Sequence, residues 1–131
     1  MIYLDSSAIL KLVRAEAESA ALGDWLAGRS KTRVLTSELG RVEVLRAARR
    51  VGEAVVAEAH TVIGDIDLIP LDRRVQDLAC EFGTPMLRTL DALHLASALL
   101  VREELTDFVA YDRRLSAVAE AAGLPVATPG G

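Results

Sequence analysis

The sequence has few of the residues that mark several large classes of protein. Among 131 residues there is one cysteine, and the aromatic residues are one Trp, two Tyr and two Phe. A single cysteine, Cys80, excludes a disulfide framework and a thiolate metal cluster, and we interpret it as a small buried apolar residue. The aromatic residues stand singly along the chain, which argues against a surface on which nucleic-acid bases stack.

Excess basic charge and long apolar runs are also missing. The chain has 19 acidic against 15 basic residues, a net charge of −4, so bulk charge does not favour nucleic acid, and any activity on it requires a local site. The longest uncharged apolar stretch, residues 92–101, is too short for a bilayer, which takes about 20 residues. The first residues lack the basic segment of a signal peptide. We expect a cytoplasmic protein without membrane contact.

The chain does contain 51% hydrophobic residues, enough for the core of one domain. Short β-branched runs predict strands at 2–4, 33–36, 68–71, 107–111 and 125–127. Helical spacing predicts helices within 7–29 (divided near residue 15), 38–66 (divided at residue 52), 73–82, 90–104 and 113–122. The alternation predicts a single α/β domain over residues 1–127, with a mostly parallel five-stranded sheet flanked by helices on both faces, and a loose tail at 128–131.

Four carboxylates fall near the predicted carboxyl ends of strands, where ligands bind in parallel sheets. Asp5 follows the first strand and Asp112 the fourth. Asp91 lies in the first turn of a strongly apolar helix, and Glu43 borders the apolar face of another. If these side chains converge, their mutual repulsion favours a bound cation between them.

Each acid also has a purely structural explanation. Asp5 and Asp112 suit helix N-caps, Asp91 suits the positive end of a helix dipole, and Glu43 could pair with an arginine on its own helix. Unrelated caps have no reason to meet at one edge, which favours a shared site. An all-carboxylate cluster favours Mg²⁺ over zinc, and such a site suits phosphodiester hydrolysis.

Four segments resemble the four motifs of PIN-domain proteins and are similar in particular to the VapC toxins of VapBC toxin–antitoxin pairs. In chain order they are IYLDSSAILK (2–11), TSELGRVEV (36–44), LDALHLA (90–96) and YDRRL (111–115). The resemblance covers the whole chain at the usual spacings. One departure is Ala110, two residues before the fourth acid, where the family usually has Thr or Ser.

The resemblance implies a PIN-like fold and a Mg²⁺- or Mn²⁺-dependent endoribonuclease toxin that a cognate VapB-type antitoxin neutralises. It implies a homodimer, which antitoxins can join into a higher-order complex. Asp5 and Asp91 match the principal metal ligands, while Glu43 and Asp112 would bind metal directly or through water. Ser7 matches a hydroxyl that supports the ligands.

Basic residues beside these motifs are candidates for contact with the RNA backbone, because arginine is well shaped to bind phosphate. The candidates are Arg46, Arg113 and Arg114, although a solvated helix face also explains Arg46. His94, one turn after Asp91 in an apolar helix, is interpreted as a core or supporting residue and not as a general base.

Three other functions stay open. A non-catalytic PIN-like binding module is supported only by Ala110. A nuclease that acts on DNA is compatible with the same acids, because the contact that would recognise a 2′-hydroxyl cannot be located in the sequence. A receiver-type phosphoacceptor needs a lysine near its last strands, whereas both lysines lie before residue 32.

Overall fold

The computed structural model describes residues 1–131, which form five short strands and seven helices. The strands are β1 (Ile2–Leu4), β2 (Val34–Ser37), β3 (Asp67–Ile69), β4 (Asp107–Val109) and β5 (Val126–Ala127). The helices are α1 (Ser6–Val13), α2 (Ser19–Ala27), α3 (Glu38–Arg49), α4 (Glu53–Gly64), α5 (Arg73–Glu81), α6 (Thr89–Leu100) and α7 (Arg113–Ala121).

The strands pair in the order β3-β2-β1-β4-β5, and every pairing is parallel. Parallel neighbours need crossover connections, which the helices supply. The predicted α/β fold is confirmed, and the sheet is wholly parallel instead of mostly so. All five strands therefore direct their carboxyl ends toward one edge.

The sheet separates two apolar cores, because alternate residues of β1 point to opposite faces. Ile2 and Leu4 pack with the buried residues of α1, α2, α3 and α4. Tyr3 packs on the other face with Phe108 and with the buried residues of α6 and α7. With both of its faces covered, the central strand β1 is wholly apolar and fully buried, as its sequence indicated.

Gly40 lets α3 pack closely against β2. A Cβ atom at this position would lie 2.5 Å from Oγ1 of Thr36 and 3.5 Å from Cε1 of His94. Oγ1 of Thr36 is the one buried side-chain polar atom that has no hydrogen-bond partner. The close contact between α3 and β2 therefore depends on the missing side chain at residue 40.

Three local predictions were wrong. The fourth strand ends at Val109, not at residue 111, because the backbone amide of Tyr111 donates to the hydroxyl of Ser7 instead of to a neighbouring strand. Helix α6 ends at Leu100, and residues 101–104 form turns. Cys80 is exposed, since it borders an open cleft between α5 and α6 and is not packed in the core. No helix is both long and apolar enough to cross a membrane.

Candidate active site

Asp5 occupies the first turn after the central strand and is only 4% exposed. Its Oδ1 accepts hydrogen bonds from the hydroxyl of Ser7 (2.6 Å) and the amide of Ala8 (3.0 Å). Its Oδ2 accepts none within the protein and yet is not a buried atom, so it reaches the surface. One carboxylate oxygen is thus anchored while the other faces outward.

Burial raises the pKa of Asp5 above that of an ordinary aspartate, and the nearby carboxylate of Glu43 adds to the rise. Hydrogen bonds from Ser7 and Ala8, together with the proximity of His94, act in the opposite direction. Desolvation is the largest of these effects and favours the neutral acid. A cation beside Oδ2 would restore the charged form.

Glu43 is held by a buried histidine. Oε1 of Glu43 lies 2.6 Å from Nε2 of His94, and Nδ1 of His94 lies 2.7 Å from the hydroxyl of Tyr3. His94 is 2% exposed and Tyr3 is fully buried. The interpretation of His94 as a core or supporting residue agrees with this placement.

Asp91 and Asp112 share a single arginine. Nε of Arg88 donates to Asp91 at 3.2 Å, and an Nη atom of Arg88 donates to Asp112 at 3.3 Å. The guanidinium thus lies between two carboxylates that would otherwise repel each other. Arg88 is still largely exposed, with 61% of its side chain accessible.

Hydrogen bonds and a shared helix connect the four acids, and we call Asp5, Glu43, Asp91 and Asp112 the acidic edge. The hydroxyl of Ser7 joins Asp5 to the backbone next to Asp112. The guanidinium of Arg88 joins Asp112 to Asp91. Helix α6 carries both Asp91 and the histidine that holds Glu43. The charge of Glu43 in turn acts on Asp5. No three His, Cys, Asp or Glu side chains lie close enough to hold one ion.

Two of the four acids have the helix-capping role that the sequence allows, and this role is compatible with a chemical one. Asp5 is the N-cap of α1, and Asp112 is the N-cap of α7, where it accepts from the amides of Arg114 (2.8 Å) and Leu115 (3.1 Å). Glu43 pairs with no arginine; its partner is His94. Asp91 lies in the first turn of α6, as expected.

The three arginines predicted to contact RNA are all exposed but lie in different surroundings. Arg114 lines a cleft of about 420 Å³ together with Arg88 and Asp91. Arg46 lines a separate cleft with Arg49 and Arg50. Arg113 lines another cleft with Glu18, which precedes α2, and Glu120 of α7. Of the three arginines, Arg114 is the one that shares a cleft with Asp91.

Sequence reasoning missed two residues at the site, Arg88 and Tyr3. Arg88 lies three residues before Asp91, a spacing that brings side chains together at a helix start. Tyr3 lies two residues before Asp5 on an apolar strand, where a buried tyrosine hydroxyl requires a partner. Both signals were present in the sequence, but neither identifies which residue would be the partner.

The donor set of the acidic edge suits Mg²⁺ or Mn²⁺. All four side chains offer oxygen, and Oδ2 of Asp5, Oε2 of Glu43 and Oδ1 of Asp91 accept no hydrogen bond within the protein. Mg²⁺ in enzymes is usually bound by one or two carboxylates, with waters and substrate phosphate completing its ligands. Such a site does not need three protein ligands on one ion.

Known proteins match this chain over almost its whole length. The PIN domain family model matches residues 2–121. Ribonuclease VapC35 of Mycobacterium tuberculosis is 42% identical over 132 residues, which cover 99% of this chain and 98% of that protein.

Two solved structures share the fold at lower identity. VapBC2 from Rickettsia felis, bound to a DNA fragment from its promoter, aligns with a TM-score of 0.78 and 12% identity over 98% of this chain and 99% of that one. VapC20 of Mycobacterium tuberculosis, a toxin that cleaves the sarcin–ricin loop, aligns with a TM-score of 0.73 and 21% identity over 98% and 100% of the two chains. By fold, by motif order and by identity to its relatives, this chain belongs to the PIN domain family, among the VapC proteins.

Proposed function

We propose that this protein is a Mg²⁺- or Mn²⁺-dependent endoribonuclease toxin whose site is the acidic edge. The observation that carries the proposal is that hydrogen bonds and a shared helix connect four carboxylates from distant parts of the chain at the carboxyl edge of a parallel sheet. The 42% identity to a protein named as a ribonuclease supports RNA as the substrate.

In this proposal Asp5 and Asp91 are the principal ligands of the cation, and Glu43 and Asp112 bind it directly or through water. When bound, Mg²⁺ or Mn²⁺ supplies an activated water and neutralises charge on the phosphodiester. Ser7 keeps Oδ1 of Asp5 anchored, so that Oδ2 faces the substrate side. Arg114 and Arg88 border the same cleft and hold the RNA phosphates, which supplies locally the positive charge that the chain lacks overall.

Two partners belong to the proposal as well. Solved relatives of the same fold include toxin–antitoxin complexes, which supports a VapB-type antitoxin as the partner that neutralises this chain. We also propose a homodimer, with larger assemblies formed through the antitoxin. Co-purification with the product of a small neighbouring gene, and sedimentation of the chain alone, test these two statements separately.

The catalytic proposal is tested with Asp91→Asn, which removes one charge and keeps the shape of the side chain. Growth after induction and cleavage of total RNA are measured with Mg²⁺, with Mn²⁺ and with chelator. The matched control is Asp72→Asn, because Asp72 also lies at a helix start and pairs with an arginine, and its side-chain partners, Arg74 and the amide of Val75, are not part of the acidic edge. We expect wild type and the control to stop growth after induction, and to cut RNA when Mg²⁺ or Mn²⁺ is present but not in chelator. We expect Asp91→Asn neither to stop growth nor to cut RNA.

Two results would contradict this proposal. If wild type cuts no RNA under any of these conditions, the chain acts as a binding module. If single-stranded DNA is cut faster than RNA, the substrate is wrong although the site is right.

A further inference from the structure

A chain of buried hydrogen bonds runs from the core to the acidic edge. The hydroxyl of Tyr3 lies 2.7 Å from Nδ1 of His94, and Nε2 of His94 lies 2.6 Å from Oε1 of Glu43. Tyr3 and His94 are 0% and 2% exposed, whereas a quarter of the Glu43 side chain is accessible. The series therefore begins where water is excluded and ends at a carboxylate that faces solvent.

The three members belong to the three elements that position three of the acids. Tyr3 is on β1, two residues before Asp5, and Glu43 is on α3. His94 is on α6, three residues after Asp91. A displacement of the histidine ring would therefore change the position of Glu43 relative to both aspartates.

We propose that Tyr3 and His94 act as a positioning pair that fixes the carboxylate of Glu43 against Asp5 and Asp91. This inference rests on the proposed function, because it assigns a role within the same site. Neither residue touches the substrate; both act through Glu43.

The chemistry of the three groups sets the direction of the hydrogen bonds. An ionised carboxylate only accepts, so Nε2 of His94 carries the hydrogen that points at Glu43. In the neutral ring Nδ1 is then an acceptor, and the hydroxyl of Tyr3 must be the donor. Burial raises the pKa of Tyr3, so the hydroxyl keeps its proton. Tyr3 thus selects the tautomer of His94 that can hold Glu43.

Packing fixes the positions of both rings. Tyr3 stacks on Phe108, with ring centroids 5.2 Å apart and planes within 5°. The ring of His94 meets Tyr3 edge-on at 5.9 Å. Gly40 of α3 also borders the ring, since a Cβ atom at this position would lie at van der Waals distance, 3.5 Å, from Cε1 of His94. With both rings held in this way, the side chain of Glu43 loses the rotamer freedom that a partly exposed glutamate otherwise has.

The first test compares His94→Leu, His94→Gln and Tyr3→Phe with wild type. Binding of Mn²⁺ is followed by electron paramagnetic resonance, and kcat and KM are measured on RNA. Loss of a hydrogen-bond partner behind a ligand typically costs about 10–100-fold in metal affinity or activity. We expect His94→Leu to lose Mn²⁺ affinity and kcat by that factor with KM little changed, and His94→Gln to recover part of the loss because its amide can donate to Glu43.

The variant Tyr3→Phe removes one hydroxyl and keeps the stacked ring. We expect a smaller fall in Mn²⁺ affinity than in His94→Leu. The matched control is Tyr111→Phe, which removes a phenolic hydroxyl that donates only to the carbonyl of Pro129. We expect this control to bind Mn²⁺ as wild type does.

A second measurement needs no activity and no metal. Nitrogen-15 NMR of wild type should show the tautomer of His94 with hydrogen on Nε2, and this preference should weaken in Tyr3→Phe. Hydrogen on Nδ1 alone would overturn the positioning role, because Nε2 could not then donate to Glu43. This readout still decides the matter if His94→Leu fails to fold.

The outcomes separate this inference from the proposed function. If wild type binds no Mn²⁺ and cuts no RNA, the proposed function fails and the positioning role fails with it. If wild type does both, and His94→Leu and Tyr3→Phe equal it in Mn²⁺ affinity and kcat, only the positioning role is overturned.

Discussion

The hydroxyl of Ser7 lies 2.6 Å from Oδ1 of Asp5 and completes a link between two neighbouring strand ends. The hydroxyl oxygen of Ser7 also accepts a hydrogen bond from the backbone amide of Tyr111 at 3.1 Å. One small side chain therefore both anchors a buried carboxylate and ends the fourth strand.

Replacing Ser7 by Ala should destabilise the protein by about 1–3 kcal/mol, because it leaves a buried carboxylate oxygen and a backbone amide each without one partner. Urea unfolding measures the change. Ser116→Ala is the matched control, since this hydroxyl makes a single bond, to the carbonyl of Ala110. Equal losses in the two variants would show that the link through Ser7 contributes nothing beyond one ordinary hydrogen bond.

Replacing Arg88 by Gln should strengthen Mn²⁺ binding and weaken RNA binding. The guanidinium competes with a metal for Asp91 and Asp112, and two ion pairs of about 0.2–1 kcal/mol each correspond to roughly a two- to thirtyfold rise in Mn²⁺ affinity. Loss of a positive charge beside the cleft should weaken RNA binding, because that charge attracts the phosphates. Mn²⁺ titration and RNA anisotropy measure the two changes. Arg74→Gln, which breaks a similar pair with Asp72, should alter neither quantity.

Replacing Gly40 by Ala should destabilise the fold although α3 gains a better helix former. The new methyl group would lie 2.5 Å from Oγ1 of Thr36, and overpacking of this kind costs about 1–3 kcal/mol against a gain of at most about 1 kcal/mol in helix propensity. Gly23→Ala in α2 is the matched control, because no atom lies within 4 Å of its added Cβ. It should gain about 0.5–1 kcal/mol. A stabilised Gly40→Ala in thermal unfolding would contradict the close approach of α3.

Replacing Asp5 by Asn should stabilise the metal-free protein at neutral pH. Burial raises the pKa of Asp5 in the folded state, so the stability that its protonated form provides is complete below the ordinary aspartate pKa of about 3.9 and is lost as pH rises through the raised value. Asparagine does not ionise and avoids this loss. Urea unfolding in chelator at pH 7 and pH 4 should show a difference that shrinks toward acid.

Asp72 is the control for this pH dependence, because its effect on stability changes with pH in the opposite direction. A hydrogen bond from Arg74 lowers the pKa of Asp72, so Asp72 contributes stability at neutral pH that is lost as pH falls through the lowered value. Asp72→Asn should therefore be less stable than wild type at pH 7. A pH-independent difference in Asp5→Asn would mean that its ionisation does not differ between the folded and unfolded states.

The sequence predicts the fold well, because a chain of alternating apolar strands and amphipathic helices has few other ways to bury the apolar faces of both. Strand ends are less certain: residues 110 and 111 continue the apolar run, yet the hydroxyl of Ser7, 104 residues away, takes the amide that would have extended the ladder. Cys80 was placed inside by residue type, but the position of α5 leaves it exposed. Both errors come from tertiary contacts that local patterns do not contain.

The acids themselves could be found from the sequence, whereas their partners could not. Asp5 and Asp112 follow strands, and that is a local property. The pairing of Glu43 with His94 joins α3 to α6 across 51 residues, and nothing in either segment distinguishes it from pairing with an arginine on the same helix. Whether the four acids act together in catalysis stays a prediction until Asp91→Asn is measured.

The order of the strands also has a consequence for synthesis of the chain. β1 is made first but lies in the middle of the sheet, and its second neighbour, β4, begins only at residue 107. Because chains emerge from the ribosome N-terminus first, the central strand waits half-paired until most of the protein has been translated. The acidic edge is complete only after Asp112 has been made, so a nascent chain that ends before this residue cannot carry out whatever the four acids do together.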